Sequence, residues 1–253
     1  MHTFSTLALL TAAATTTLAQ VTIPATNGSL PVAGANGCAM GYYPGTSQVL
    51  FTVPYTYTQV LSIIGNYTNL TWSGSPDNSV TTNNTMALTT NMWTPGSGRF
   101  YDIAGAHVIE TITEYSKPAN GPYVEVHTLA PLSIPSANVS FYGDFDAQVW
   151  TPICNGMATA SNFTINFCAT NATLASGLLS MLHLTDAQTV GKFLGGQNYT
   201  SCAALGAGSG MANGTGVPSA TSSMPAMYTG AASAAKVEGF AVVVLAMVAG
   251  YLL

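Results

Sequence analysis

Alternating β-prone runs occupy the middle of this chain, and segments with helical spacing stand on either side of them. Residues 47–53 (Ser-Gln-Val-Leu-Phe-Thr-Val) predict a short strand ending at Pro54. Thr56 to Ile64 then set Val60, Leu61 and Ile64 at helical spacing. Asn66 to Trp72 fit a second short helix or an extended arm. Residues 73–97 are rich in Asn and Thr and read as a glycosylated loop with room for one edge strand.

The clearest pattern begins at Gly98. Arg99 to Ile103, a turn at Ala104-Gly105 and Ala106 to Tyr115 predict a hairpin, and Tyr123 to Leu129 adds a third strand after the loop at 118–122. A turn centred on Ala104-Gly105 pairs Ile103 with Ala106, Tyr101 with Val108 and Arg99 with Glu110. A loop joining Tyr115 to Tyr123 pairs Glu114 with Val124, Ile112 with Val126 and Glu110 with Thr128.

Alternate residues of a strand share a face. These registers therefore gather Arg99, Tyr101, Ile103, Val108, Glu110, Ile112, Val126 and Thr128 on one face, taken as the inner one. Glu125, His107 and His127 fall on the other face. Two further apolar β segments follow, near 139–151 and 157–168. Asn171 then caps a helix with a Leu174, Leu178, Met181, Leu182 stripe, and Thr185 with Gln188 suggests a second helix start after a kink near Leu184. The order of strand, helix, antiparallel strands and long helix is that of an α+β domain.

The two ends read as addresses. Residues 1–19 hold an apolar stretch from Leu7 to Ala14 and a small-residue cleavage site before Gln20, the pattern of a signal peptide. At the other end come Gly230-Ala231-Ala232-Ser233, a short spacer and an apolar run from Phe240 to Leu253. This order matches a glycosylphosphatidylinositol (GPI) attachment signal, with attachment at Gly230 or within three residues of it and removal of residues 231–253. Residues 20–46 are an N-terminal extension, 47–202 the folded domain, and 203–230 a Ser/Thr/Gly/Ala-rich stalk.

Composition sharpens this picture. Charged residues make up 5% of the chain, against about 25% in an ordinary soluble domain. The net charge of −5 leaves no basic field for a nucleic-acid partner. Glycans supply the missing hydration on this reading, since N-x-[ST] sequons stand at Asn27, Asn66, Asn69, Asn83, Asn138, Asn162, Asn171, Asn198 and Asn213.

Cys38, Cys154, Cys168 and Cys202 form an even set, as disulfides in a secreted chain do. A helix over 172–195 would hold Cys168 and Cys202 about 36 Å apart, against the ~5.5 Å of bridged Cα atoms. That distance argues against Cys168 with Cys202, and of the three possible pairings the preferred set is Cys154 with Cys168, across neighbouring strands, and Cys38 with Cys202, clasping the domain's ends.

The order of elements resembles the START-like superfamily, also called Bet v 1-like, polyketide cyclase-like or SRPBCC. The residues that carry the resemblance are Val53-Pro54-Tyr55 leading into a helix, Trp72, Gly96-Ser97-Gly98-Arg99-Phe100-Tyr101, Glu110-Thr111-Ile112-Thr113-Glu114-Tyr115 and Tyr123-Val124-Glu125-Val126. It covers about residues 47–195. Departures are the Asn/Thr-rich insert at 75–95, the cysteines, the sequons and the lipid anchor. The resemblance implies a helix-grip fold, in which a curved sheet of six or seven strands wraps around a long C-terminal helix and encloses a mostly apolar cavity.

The function that the resemblance implies is binding of a small apolar ligand such as a lipid, sterol or polyketide. The extracellular setting comes from the end signals, and the lipid anchor, sequons and low-charge stalk together look most like those of a fungal surface protein. The membrane is a partner through the anchor, and cell-wall polysaccharide is a further candidate. In this reading Arg99 and Glu110 either orient a ligand's polar head, as a similarly placed Glu does in related receptors, or form an ion pair that fixes the hairpin. The alternatives are a structural or adhesive glycoprotein without a ligand, and a cyclase- or dehydratase-like enzyme with Tyr101 and Glu110 as acid and base. No cofactor or metal is expected: His107, His127 and His183 show no ligand spacing along the sequence, and Asp144 and Asp146 read as solvated.

Overall fold

Seven antiparallel strands among the described residues form one sheet, in the spatial order β1 (Tyr43–Val53), β7 (Ala158–Ala169), β6 (Val139–Ile153), β5 (Tyr123–Ile134), β4 (Ala106–Ser116), β3 (Gly98–Ile103) and β2 (Thr81–Thr82), and a 22-residue helix packs against it. The computed structural model describes residues 30–75, 79–103 and 105–208. The expected signal peptide, the GPI signal with Gly230, and the sequons at Asn27 and Asn213 lie outside these residues, as does all but the start of the stalk. Among the described residues no helix is long and apolar enough to cross a membrane.

Strand β1 spans Tyr43–Val53, starting four residues before the predicted strand. It ends where Pro54 removes a donor from the ladder. Helix α1, Tyr57–Ile64, follows at once. Thr56 and Gln59 form a reciprocal capping box, and Tyr57, Val60 and Ile64 turn into the core.

The insert carries more order than a loop. A two-residue strand β2 (Thr81–Thr82) pairs with β3, and a short helix α2 (Thr85–Thr90) is capped by Asn84. Ala87 and Trp93 pack with Tyr67 and Ile112, so the insert covers one end of the sheet's inner face.

Strands β3 (Gly98–Ile103) and β4 (Ala106–Ser116) pair in the predicted register, Arg99 with Glu110 and Tyr101 with Val108. The two-residue connection fixes that register, with Gly105 at φ +77°, where a Cβ would be strained.

Strand β5 (Tyr123–Ile134) departs from expectation. A β-bulge in β4 between Ile112 and Glu114 places Tyr115 opposite Glu125, then Ile112 opposite His127 and Glu110 opposite Leu129. An odd shift in register exchanges the two faces of a strand. Glu125, His127 and Leu129 therefore point inward, whereas Val126 and Thr128, two of the predicted lining residues, lie on the opposite face.

Strands β6 (Val139–Ile153) and β7 (Ala158–Ala169) form the next hairpin, and β7 pairs in turn with β1. Helix α3, Ala172–Phe193, starts at the predicted cap, where Asn171 accepts from the backbone of Leu174. It runs on through Leu184 without the expected second start. Its buried side is Ala175, Leu178, Leu179, His183, Asp186, Ala187 and Val190. Leu182, assigned to the stripe from the sequence, is exposed. A last helix α4, Cys202–Gly208, enters the segment read as stalk.

Both predicted disulfide pairs are replaced. The bridges are Cys38–Cys168 and Cys154–Cys202. Cys154 sits at the β6–β7 turn and Cys168 near the far end of the same hairpin. At ~3.3 Å per residue that hairpin separates them far beyond bridging distance. The Cys38 bridge also anchors the segment before β1, where Cys38, Ala39 and Tyr42 pack on Tyr142 and the Ala39 amide donates to the Tyr142 hydroxyl at 2.8 Å. The folded unit thus begins ahead of the boundary at 47 read from the sequence.

Candidate functional site

The inner face is apolar at its two ends and charged in the middle. One apolar cluster joins Val53, Val60, Ile64, Trp72, Trp150 and Phe163 to Val190 of α3. A second joins Val108, Leu129, Phe141, Ile165, Leu178 and Leu179, with Tyr101 and Ile103 at its border. Arg99, Glu110, Glu125, His127, Asp146, His183 and Asp186 are all buried as well. Five of these are ionised types, so a chain with four Lys and Arg and nine Asp and Glu has placed more than a third of its charges inside. Charges are almost never fully buried unless paired.

Arg99 on β3 is the organising cation. Its guanidinium bonds Glu110 on β4 through Nε and lies 3.2 Å from Glu125 Oε1 on β5. It also donates to the Tyr67 carbonyl at 2.9 Å and sits over the Tyr67 ring, 4.3 Å from its centroid. Glu110 accepts a second bond from the Tyr101 hydroxyl at 3.1 Å. Glu125 is fully engaged, accepting from Tyr123 at 2.5 Å and from Gln148 at 2.9 Å.

His127 is not. Its Nδ1 lies 4.0 Å from Glu110 Oε1 and 3.8 Å from Asp146 Oδ2, and its Nε2 lies 3.6 Å from Glu125 Oε1. None of these is a hydrogen bond. On α3, His183 stacks on Phe163 with ring centroids 5.1 Å apart, and its Nε2 lies 4.0 Å from Asp146 Oδ1. Among the described residues, the Nδ1 atoms of both histidines and the Tyr115 hydroxyl are buried without a hydrogen-bond partner.

Electrostatics divide the carboxylates into two kinds. Burial pushes Glu110 up, but Arg99, His127 and the bonds from Arg99 and Tyr101 outweigh it and hold the carboxyl below its usual range. Glu110 is thus an ionised acceptor, and a weak candidate for the base that the enzyme reading needs. Burial raises Asp146 against the opposing pull of His127 and His183, and raises Asp186 much further. Burial lowers His183.

Of the residues predicted to line the site, Arg99, Tyr101 and Glu110 meet in this cluster. Ile103 and Val108 belong to the neighbouring apolar cluster, while Ile112 is covered by Tyr67, Ala87 and Trp93. Val126 and Thr128 are excluded by the register. His107 stays on the outer face as expected, exposed and paired with Asp102 at 2.7 Å.

Glu125, His127, Asp146, His183 and Asp186 were missed. Two sequence signals pointed to some of them. Asp146 shares a strand face with Gln148 and Trp150 by period two, and His183 lies four residues from both Leu179 and Ala187. Three residues on adjacent strands, Glu110, His127 and Asp146, offer ligand atoms within 4.8 Å of one another, a grouping suited to a metal ion. Spacing along the sequence could not reveal it, because each residue comes from a different strand.

Seven sequons lie among the described residues. Asn66, Asn83, Asn138, Asn171 and Asn198 are exposed, and Asn69 and Asn162 are half-buried.

No family model matches the chain, and no curated protein does. Among solved structures it is similar to a protein from Nitrosospira multiformis at 13% identity and a TM-score of 0.42, over 58% of this chain and 94% of that one. It is also similar to a hypothetical protein from Helicobacter pylori at 8% identity and a TM-score of 0.38, over 59% and 86%. For the protein XoxI from Bacillus cereus the figures are 14% and 0.37, over 59% and 94%. Likenesses this distant carry no functional argument.

Proposed function

We propose that the protein is a secreted, GPI-anchored surface glycoprotein of START-like, helix-grip architecture that binds a small, mostly apolar ligand between sheet and α3, with a polar head against Glu110, His127, Asp146 and His183. The sheet order and the helix laid on its inner face support the fold assignment. Two disulfides and accessible sequons support the extracellular setting.

The observation that carries the binding role is the incompletely bonded polar centre. Replacing buried ion pairs by well-packed apolar residues is often neutral or stabilising, so stability alone gives little reason to keep one. Here His127 leaves its Nδ1 unpartnered beside Asp146, and His183, whose Nε2 lies 4.0 Å from Asp146 Oδ1, leaves its own Nδ1 unpartnered. A ligand with hydrogen-bonding capacity would satisfy those groups, while the flanking aliphatic and aromatic clusters accept its apolar part.

The test is an organic extract of the full glycosylated chain, released natively from the surface of its own cell and analysed by mass spectrometry. A stoichiometric small molecule with an apolar body and polar head is expected. Repeated extraction with no such molecule overturns the reading and favours the purely structural glycoprotein.

A further inference from the structure

We propose that Glu110 Oε1, His127 Nδ1 and Asp146 Oδ2 form a binding site for one divalent first-row transition-metal ion. The three residues sit on neighbouring strands β4, β5 and β6, where the bulged register brings them to one place on the inner face. Their ligand atoms lie within 4.8 Å of one another. Donors ~2.1 Å from an ion stand roughly 3–4.2 Å apart, so small side-chain movements close the site.

An independent observation points to a ligand. His127 is 4% exposed, and its Nδ1 has no hydrogen-bond partner among the described residues, yet it faces an oxygen of Glu110 at 4.0 Å and of Asp146 at 3.8 Å. A buried nitrogen held between two carboxylates needs a proton or a cation there.

The surroundings are those of a supported site. Metal-bound residues are oriented by partners on their remaining atoms. Glu110 has Arg99 on its other oxygen and the Tyr101 hydroxyl on Oε1. His127 has Glu125 Oε1 3.6 Å from Nε2, so a small ring shift on metal binding would bring that carboxylate into the orienting position a metal-bound histidine uses. Asp146 has His183 beside its second oxygen. Formal charge has the right sign: within ion-pair range Glu110, Glu125 and Asp146 against Arg99 leave −2, and Asp186 is a further buried carboxyl, so the centre favours a cation. The mixed imidazole and carboxylate set suits Zn²⁺, Mn²⁺, Fe²⁺ or Co²⁺, and three protein ligands leave coordination open to water or to a ligand's oxygen.

This inference deepens the interior-site reading and rests on it for location. The two fail separately, since an extracted organic ligand without metal sinks only this one, and a metal without an organic ligand sinks only the other. The full glycosylated chain is stripped with a chelator and dialysed against each of the four ions alone. Bound metal is counted by inductively coupled plasma mass spectrometry, and Co²⁺ is followed by visible absorption and proton NMR.

One ion per chain is expected. In the folded wild type, Co²⁺ should shift the His127 ring protons and spare those of exposed His107. Asp146→Asn should lower affinity at least tenfold, Glu125→Gln should lower it about 10–100-fold through loss of the carboxylate facing the histidine's Nε2, and Asp144→Asn, exposed on the same strand as Asp146, should bind as wild type. No stoichiometric uptake of any of the four ions overturns the proposal. So does a Co²⁺ shift confined to His107, or an Asp146→Asn protein that melts like wild type and keeps its metal. The wild-type NMR result decides if the variants fail to fold.

Discussion

Arg99 and Glu110 face each other across β3 and β4, and their side chains bond inside the domain with 4% and 6% of their surfaces exposed. The same guanidinium also neutralises Glu125. Replacing Arg99 by Met leaves two carboxylates buried without their cation, which costs about 3–5 kcal/mol. Urea denaturation of Arg99→Met should show a loss of that size, and a loss under 1 kcal/mol would mean the pair is not buried as described.

The disulfide connectivity is directly checkable. Peptide mapping without reduction should recover Cys38 linked to Cys168 and Cys154 linked to Cys202. By loop closure alone, with sequence separations of 130 and 48, removing the first bridge should cost about 5 kcal/mol and the second about 4. Paired Cys→Ser variants, compared by chemical denaturation, test that ranking.

Asp186 makes stability depend on pH in a defined direction. Burial raises its carboxyl well above the ordinary 3.8, so the folded state binds the proton more tightly than the unfolded chain. Stabilisation by the protonated form is complete below 3.8 and is lost as the pH rises through the raised folded value. Asp186→Asn cannot ionise. It should therefore gain stability relative to wild type as the pH rises from about 4 to about 8, with the two curves converging near pH 3. Parallel curves over that range would contradict the assignment.

The register of β5 predicts opposite outcomes for neighbouring residues. Thr128 lies on the outer face, and Thr128→Val should stay within about 0.5 kcal/mol of wild type. Glu125 is 1% exposed and accepts from Tyr123 and Gln148. Its replacement by Ala should cost about 3–5 kcal/mol, since Arg99 loses a partner and two donors are left unpaired. Thermal melts of the two variants side by side distinguish this register from the one in which Thr128 faces inward.

That register also marks where sequence reasoning stopped. The β3–β4 pairing was legible because a two-residue turn leaves one register available. The β4–β5 pairing was not, because the bulge after Ile112 adds a residue that no turn signal announces. One unrecognised residue moved Glu125 and His127 from the inside to the outside, and with them the site's polarity. The same slip made Arg99 and Glu110 look like exceptions on an apolar face, when they are two members of a larger buried network. The N-terminal cap of α3 was readable from Asn171, whereas its polar inner side, His183 and Asp186, broke the apolar stripe on which the helix face was judged. Disulfide pairing failed for a geometric reason, since proximity of strands is not proximity of their ends.

The central claim is that the polar centre between sheet and α3 is a binding site. Its most direct test compares organic extracts of wild type and Asp146→Asn, both as full glycosylated chains released natively from the cell surface, with melting temperature measured alongside. The account predicts a stoichiometric ligand from wild type and at least a tenfold smaller yield from a folded Asp146→Asn. Equal yields from two equally stable proteins, or no ligand from wild type, would contradict it.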